Sequence, residues 1–394
     1  MIPASPEFIT AMTSKFPKEV YIKLEFYDKD MKFLFPITYD VTADDLANIR
    51  VDRNSSIQRS FSFALNNFDG RYTWGSDRDI WINKRVKVST GIKTTNGIEY
   101  VPQGVFLVTS PYDTHNRENG KKCFITGMDK AFLYTDKRGK IVNPITIASG
   151  INIATAIKTL AQENGETLFN FDSTSVVTPY KITFEADDTR WDCMKKLADF
   201  GMCDLFFDTN GYLRLKYIGN LNDLYNSPVT QIYEYNGQNG HLYGGNTRKM
   251  DETILANWVI AMGGSGSTAT CRYEIKVDNT NPLWANSPYA VQEIGNVIYQ
   301  HNNGNPDGLL TTVDECKWRC KFELMKRLGY SELVSMPVSL NFLNEASDII
   351  KIIDSESGIN DRYILNSFDL PLMPNLMNLE CRKEVRVISD WDSL

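Results

Sequence analysis

Ile57-Gln58-Arg59-Ser60-Phe61-Ser62-Phe63-Ala64-Leu65-Asn66-Asn67-Phe68-Asp69-Gly70-Arg71-Tyr72-Thr73-Trp74 decides how the chain is read, with Val86-Lys87-Val88-Ser89-Thr90-Gly91 behind it. Phe61, Phe63 and Leu65 alternate with smaller residues, which places them on one face of a β-strand. Asn66 and Asn67 end that strand, and Asp69-Gly70 turns the chain. Arg85 to Val88 is a second alternating strand, which Gly91 is expected to stop. Nothing in the stretch is arranged for chemistry. It reads as a piece of β-barrel that presents surfaces, with Phe61, Phe63 and Leu65 facing the core.

The flanking sequence continues the pattern. Ser5 is placed to cap a short helix, with Pro6 at its first position and Phe8, Ile9 and Met12 on one stripe. Val20 to Tyr27 alternates and Asp28-Lys29-Asp30 turns it. Phe33 to Phe35, Gln103 to Ser110 and Lys122 to Gly127 are further strands, with a polar loop at Asn116 to Gly120. Many short strands broken by turn residues predict a barrel or sandwich over residues 1–140.

Beyond Pro144 the period becomes helical. Ile153, Ala156, Ile157 and Leu160 share a face and Asn164-Gly165 stops the helix. A second helix starts at Asp188 or Thr189, buries Trp191, Met194, Leu197 and Ala198, and ends at Gly201. Asp208-Thr209-Asn210-Gly211 then joins two strands as a hairpin. Residues 141–220 therefore read as a small α+β domain.

Residues 221–394 return to β, from Leu221 onward. Thr253 to Met262 is a strand running into Gly263-Gly264-Ser265-Gly266-Ser267. A polar passage from Asp278 to Gly308 precedes one helix near 311–329, capped by Thr312, lined by Val313, Cys316, Cys320, Leu324 and Leu328, and stopped by Gly329. Strands follow at Val338 to Phe342, Ile349 to Ile353, Arg362 to Phe368 and Leu376 to Val387. The series Ile350 to Ile353, Arg362 to Ser367 and Leu379 to Cys381 echoes Val86 to Gly91, Gly104 to Ser110 and Cys123 to Ile125. This is an internal duplication of a barrel domain.

Composition bounds the function. A chain of 394 residues holds two or three domains. Its formal net charge of −7 argues against binding nucleic acid specifically, since phosphate affinity needs clustered Lys and Arg. The seven cysteines are scattered and odd in number, so no disulfide framework is expected. No run approaches the ~18 apolar residues of a membrane span, and no signal peptide is evident.

Candidate chemistry is sparse. Gly264-Ser265-Gly266-Ser267 follows a strand like a dinucleotide fingerprint, but Thr270 to Val277 alternates like a strand where the fingerprint needs a helix. Cys316 and Cys320 share a helix face without further metal ligands nearby. His115, His241 and His301 lie far apart in polar loops. Glu185, Asp187, Asp188 and Asp192 cluster as glycosidase carboxylates would, yet helix capping already accounts for them. No catalytic residue, metal or cofactor is expected.

The order of these features resembles a known family. The Arg59–Trp74 motif and Gly104 to Ser110 come first, then the helical unit with Trp191 and the Asp208–Gly211 hairpin, then the late helix and closing strands. This is similar to the hub proteins of phage tail baseplates and related contractile injection devices, including the prophage type of Gram-positive hosts. The resemblance implies an α+β, mainly β protein with two similar β-barrel-like tube domains around the small α+β domain. It implies a homotrimer whose six related units join a six-fold tail tube to a three-fold central spike and form part of the DNA channel, where an acidic wall repels phosphate. The expected partners are the tail tube or distal tail ring protein, the spike or tail-tip protein and the tape-measure protein. The expected location is the virion tail, after synthesis in the bacterial host cytoplasm. With its end at Leu394, the chain is expected to be the hub alone. A tail-associated cell-wall hydrolase using Glu185 or Asp188, and a β-rich carbohydrate-binding module, are the alternatives.

Overall fold

The computed structural model describes residues 1–14, 18–38, 47–116, 120–217, 233–237, 241–242, 244–265 and 268–384. The expected strand onset at Leu221, the Gln238–Gly240 and Gly266-Ser267 loop residues, and the last strand beyond Glu384 lie outside these residues.

The first third is β1 (Val20–Tyr27), β2 (Phe33–Ile37), β3 (Asn48–Asp52), β4 (Arg59–Asn66), β5 (Arg85–Thr94), β6 (Gly97–Val108), β7 (Tyr112–Asn116) and β8 (Gly120–Asp129). A helix α1 (Pro6–Thr13) precedes them; Ser5 Oγ accepts from Phe8 N at 3.0 Å, and Phe8 and Met12 are buried. Phe61, Phe63 and Leu65 are all buried, as their alternation requires. Gly91 does not stop β5, which runs on to Thr94. It serves a different need: a Cβ there would lie 2.8 Å from Cδ1 of Tyr100 on the paired strand β6.

The middle unit holds β9 (Ile145–Ile147), helix α2 (Ile153–Gln162), β10 (Phe169–Phe171), β11 (Ile182–Phe184), helix α3 (Arg190–Phe200), β12 (Cys203–Phe207) and β13 (Leu213–Tyr217). Asn152 caps α2, and Thr189 with Asp192 forms a capping box on α3. Its core is separate and centres on Tyr134, Trp191 and Phe207.

The last part holds β14 (Tyr233–Asn236), β15 (Thr247–Lys249), β16 (Trp258–Ser265), β17 (Thr268–Lys276), β18 (Ile298–Gln300), helix α4 (Val313–Leu328), β19 (Leu333–Val338), β20 (Ile349–Asp354), β21 (Ile359–Pro371) and β22 (Met377–Lys383). The strand expected over Thr253 to Met262 starts only at Trp258, and Val313 is half exposed rather than part of the α4 stripe. The strand expected at Val338 to Phe342 lies earlier, as β19. Residues 339–344 form a buried loop, which Asn341 and Asn344 hold by donating to the Tyr235 hydroxyl at 3.4 and 2.7 Å.

The strands are largely antiparallel and no sheet closes into a barrel among the described residues. The two expected barrel-like domains instead fuse. β3 pairs antiparallel with β4 on one side and with β21 on the other, Val51 opposite Phe368 and Ile49 opposite Leu370. The result is one sheet of 14 strands running β15-β19-β22-β21-β3-β4-β8-β6-β5-β1-β2, with β14 and β20 branching from β21 and β7 from β8. Phe63 and Phe106 share a single core with Tyr235, Phe342 and Tyr363.

Candidate functional site

The candidate site is the junction between the two strand runs and the edges they leave open. In chain order the first run is β1, β4, β5, β6, β8, and in the sheet these lie β4-β8-β6-β5-β1. The last run is β14, β19, β20, β21, β22, and these lie β19-β22-β21-β20-β14. The permutation is the same. Each run also carries a short strand beside its second member, β3 on β4 and β15 on β19. One difference is that β1 meets β5 antiparallel while β14 meets β20 parallel.

The registers agree as well. From Val108↔Gly127 to Tyr112↔Phe124 the chain advances four residues on one side and three on the other. From Leu365↔Cys381 to Asp369↔Asn378 it does the same. Both runs thus hold one extra residue between matching pairs: in the last run it is a β-bulge within β21, and in the first it falls in the break between β6 and β7.

The junction mixes apolar and charged contacts. Ile49 and Leu370 are buried opposite each other, and Arg50 faces Asp369 one step along. Gln103, itself buried, donates to the Phe342 carbonyl at 2.8 Å. Arg59 is buried and pairs with Glu345, while its backbone N–H donates to Asp129 at 2.9 Å. Burial pushes the Asp129 carboxyl up to about 6 against the backbone N–H groups of Arg59 and Ala131 that oppose the shift.

A cleft of about 1140 Å³ lies between the Arg53–Ser56 loop, α3, the 301–309 segment and α4. Several of its charges are tied down by partners. Asp204 meets Arg53 at 2.8 Å and Lys195 at 3.6 Å. Burial raises the Asp204 carboxyl, but these two cations outweigh it and hold it below the usual range. Arg319 donates to the Asp199 carbonyl at 2.6 Å. The arrangement fixes three parts of the chain to one another.

The suspected chemical residues stay apart or have structural roles. Glu185 and Asp187 are exposed; Asp188 accepts from Glu185 N at 3.0 Å and Asp192 caps α3. Cys316 lies 3.5 Å from Cys271, and Cys320 donates to the Tyr273 carbonyl at 3.3 Å. Burial pushes both Cys316 and Cys320 thiols up to about 12, away from thiolate chemistry. His115 is on exposed β7, His241 is buried with Nδ1 3.2 Å from the Glu234 carbonyl, and His301 meets Asp307 at 2.9 Å on the cleft wall. β16 and β17 form a hairpin, so the Gly264 segment leads into a strand. Among the described residues no group of three His, Cys, Asp or Glu is placed to hold a metal.

No protein-family model and no curated protein sequence matches the chain. Solved structures do. The tail protein from Neisseria meningitidis MC58 superposes with a TM-score of 0.59 at 13% identity, over 92% of this chain and 97% of that one. The 43 kDa tail protein of prophage MuSo2 from Shewanella oneidensis gives 0.56 at 12% identity, over 94% and 99%. Prophage tail protein gp18 from Listeria monocytogenes EGD-e gives 0.55 at 14% identity, over 91% and 94%. The chain has the fold of phage and prophage tail proteins.

Proposed function

We propose that the chain is a structural hub of a phage-type tail, a homotrimer that joins a six-fold tube to a three-fold spike and lines part of the DNA channel. The observation that carries this reading is the repeated strand permutation with its shared extra residue. Residues 1–140 and 221–394 are then two related units flanking the α+β unit of residues 141–220. Three chains carry six such units, and an adaptor between six-fold and three-fold partners needs that number. The net charge of −7 supports a channel wall that repels phosphate. The tube or distal ring protein meets one face of the ring, and the spike or tip protein meets the other. The reading assigns no catalytic residue and no cofactor.

Light scattering of the purified protein, with class averages from electron micrographs, tests it. A trimeric ring with six lobes is expected. A strict monomer at high concentration, with tube and spike partners also failing to assemble it, overturns the hub.

A further inference from the structure

Of the open strand edges among the described residues, two flank the related runs at matching places: β7 pairs only with β8, and β15 only with β19. Their residues Tyr112 to His115 and Thr247 to Lys249 are exposed. An exposed edge is a template for another strand. The chain itself shows what such an edge takes, because the strand corresponding to β15 in the first run is β3, which is paired.

The correspondence can be followed residue by residue. Gly127 matches Cys381 through the shared extra residue, and these sit opposite Phe61 and Val334, both buried. Phe61 faces Ile49 across to β3, and Val334 faces Arg248 across to β15. Ile49 therefore corresponds to Arg248 and Arg50 to Lys249. On the other side, Asp369 corresponds to Tyr112 and Leu370 to Asp113, since the Asn378 and Phe124 positions match.

We propose that β15 of one protomer pairs antiparallel with β7 of a second copy, in the register of β3 on β21. This rests on the ring reading above and names its contact. In that register Arg248 lies directly opposite Asp113, where the internal junction has Ile49 opposite Leu370. Lys249 faces Tyr112, whose ring stacks on Phe124 at 4.7 Å, and Thr247 faces Thr114. Met250, 61% exposed in the single chain, meets Pro111. Opposite charges directly across an antiparallel pair attract, so the register that the internal junction dictates is also complementary. Arg248 already holds Glu332 at 3.0 Å, which orients it at this edge. The β3–β21 junction within each chain and the β15–β7 junction between chains then alternate around a closed ring.

The test is oxidative cross-linking of full-length protein carrying Thr114→Cys and Thr247→Cys, with mass measured under denaturing, non-reducing conditions. The seven native cysteines are buried. Covalent dimers and trimers are expected from this pair. None is expected from Thr114→Cys with Arg248→Cys, which point to opposite faces. A second measurement uses charge: Asp113→Lys should dissociate the trimer at least tenfold more readily, and adding Arg248→Glu should restore it. A trimer by mass without in-register cross-links, or with no restoration by the second charge change, overturns the strand pairing and leaves the hub reading standing. A strict monomer overturns both.

Discussion

Arg50 and Asp369 lie directly opposite each other on β3 and β21, with Arg50 Nη1 3.1 Å from both carboxylate oxygens. They are 319 residues apart in sequence and mark the seam that makes one sheet of two strand runs. Both side chains are well exposed, at 42% and 37%, so the pair is worth under about 1 kcal/mol. Leu370, buried beside it, is worth more. Leu370→Ala is expected to lower unfolding stability by about 2–4 kcal/mol, and Arg50→Ala by under about 1 kcal/mol. Chemical denaturation of the two variants measures the difference. Equal losses would mean that charge rather than packing holds the seam.

Phe63 and Phe68 are five residues apart and have opposite surroundings. Phe63 is buried and Phe68 is 72% exposed. Phe63→Asp is expected to abolish cooperative unfolding, because it would strand a charge in the core. Phe68→Ser should leave the melting temperature within about two degrees, since exposed substitutions act within roughly ±0.5 kcal/mol, while weakening assembly. Asn67 does not belong with these surface positions. It is fully buried, accepts from Tyr72 N at 2.8 Å and donates to Thr73 at 3.3 Å, so Asn67→Ala should destabilise the monomer. Melting curves and gel filtration of all three variants separate folding from assembly.

Lys130 joins the end of β8 to the middle unit. Its ammonium donates to Glu166 at 2.8 Å and to the Gly211 carbonyl at 2.9 Å, both partners being buried. Gly211 has φ +79, and a Cβ there would meet Val105 at 2.8 Å, so the hairpin tip rests on β6. Burial pulls the Lys130 pKa down against the opposing Glu166 charge. Lys130→Met is expected to cost about 3–5 kcal/mol by leaving Glu166 alone, and Glu166→Gln in the same chain should recover part of it. A double-mutant cycle by denaturation checks the sign of the coupling.

Asp129 gives the fold a pH signature. Its carboxyl titrates near 6 in the fold against 3.8 ordinarily, because it is buried. The stability tied to a raised carboxyl is complete below its unfolded pKa and is lost as pH rises through its folded one. Asp129→Asn mimics the protonated form. The variant should therefore be more stable than the parent at pH 7.5, and the two should converge as pH falls through about 6 towards the ordinary carboxyl value of 3.8. Below about pH 4 a second trend of opposite sign enters. Against the effect of burial, Asp204 and Asp361 have pKa values held down chiefly by cationic partners, and Asp307 chiefly by hydrogen bonds from His301 and the Leu309 N–H, so their stabilisation disappears on acidification. Thermal melts from pH 7.5 to 3.5 separate the two effects.

Local signals made the helices legible. Ser5 and Thr312 cap their helices as expected, Thr189 rather than Asp188 caps α3, Asn152 caps α2 without having been singled out, and Asp208-Thr209-Asn210-Gly211 turns its hairpin. The repeated order of strands was legible because each strand carries its own alternation. The polar strand β7 was missed because Tyr-Asp-Thr-His-Asn carries no apolar alternation; it is a strand only because β8 lies beside it. The expected barrels failed for a related reason. Whether a sheet closes depends on which distant strand meets β3, and no residue near β3 encodes β21. Within the acidic cluster capping accounts for Asp192; Asp188 accepts from the Glu185 N–H in the turn before the helix, and Glu185 and Asp187 are exposed.

The β3–β21 seam also sets an order of events during synthesis. β3 is complete at Asp52, yet its second partner begins to pair at Ser367. At the roughly 5–20 residues per second of translation, that leaves an interval of tens of seconds. Through that interval the nascent first run holds an unpaired edge, and its core still lacks Tyr235, Phe342 and Tyr363. The chain therefore folds late, and its yield depends on how long that half-built sheet can wait.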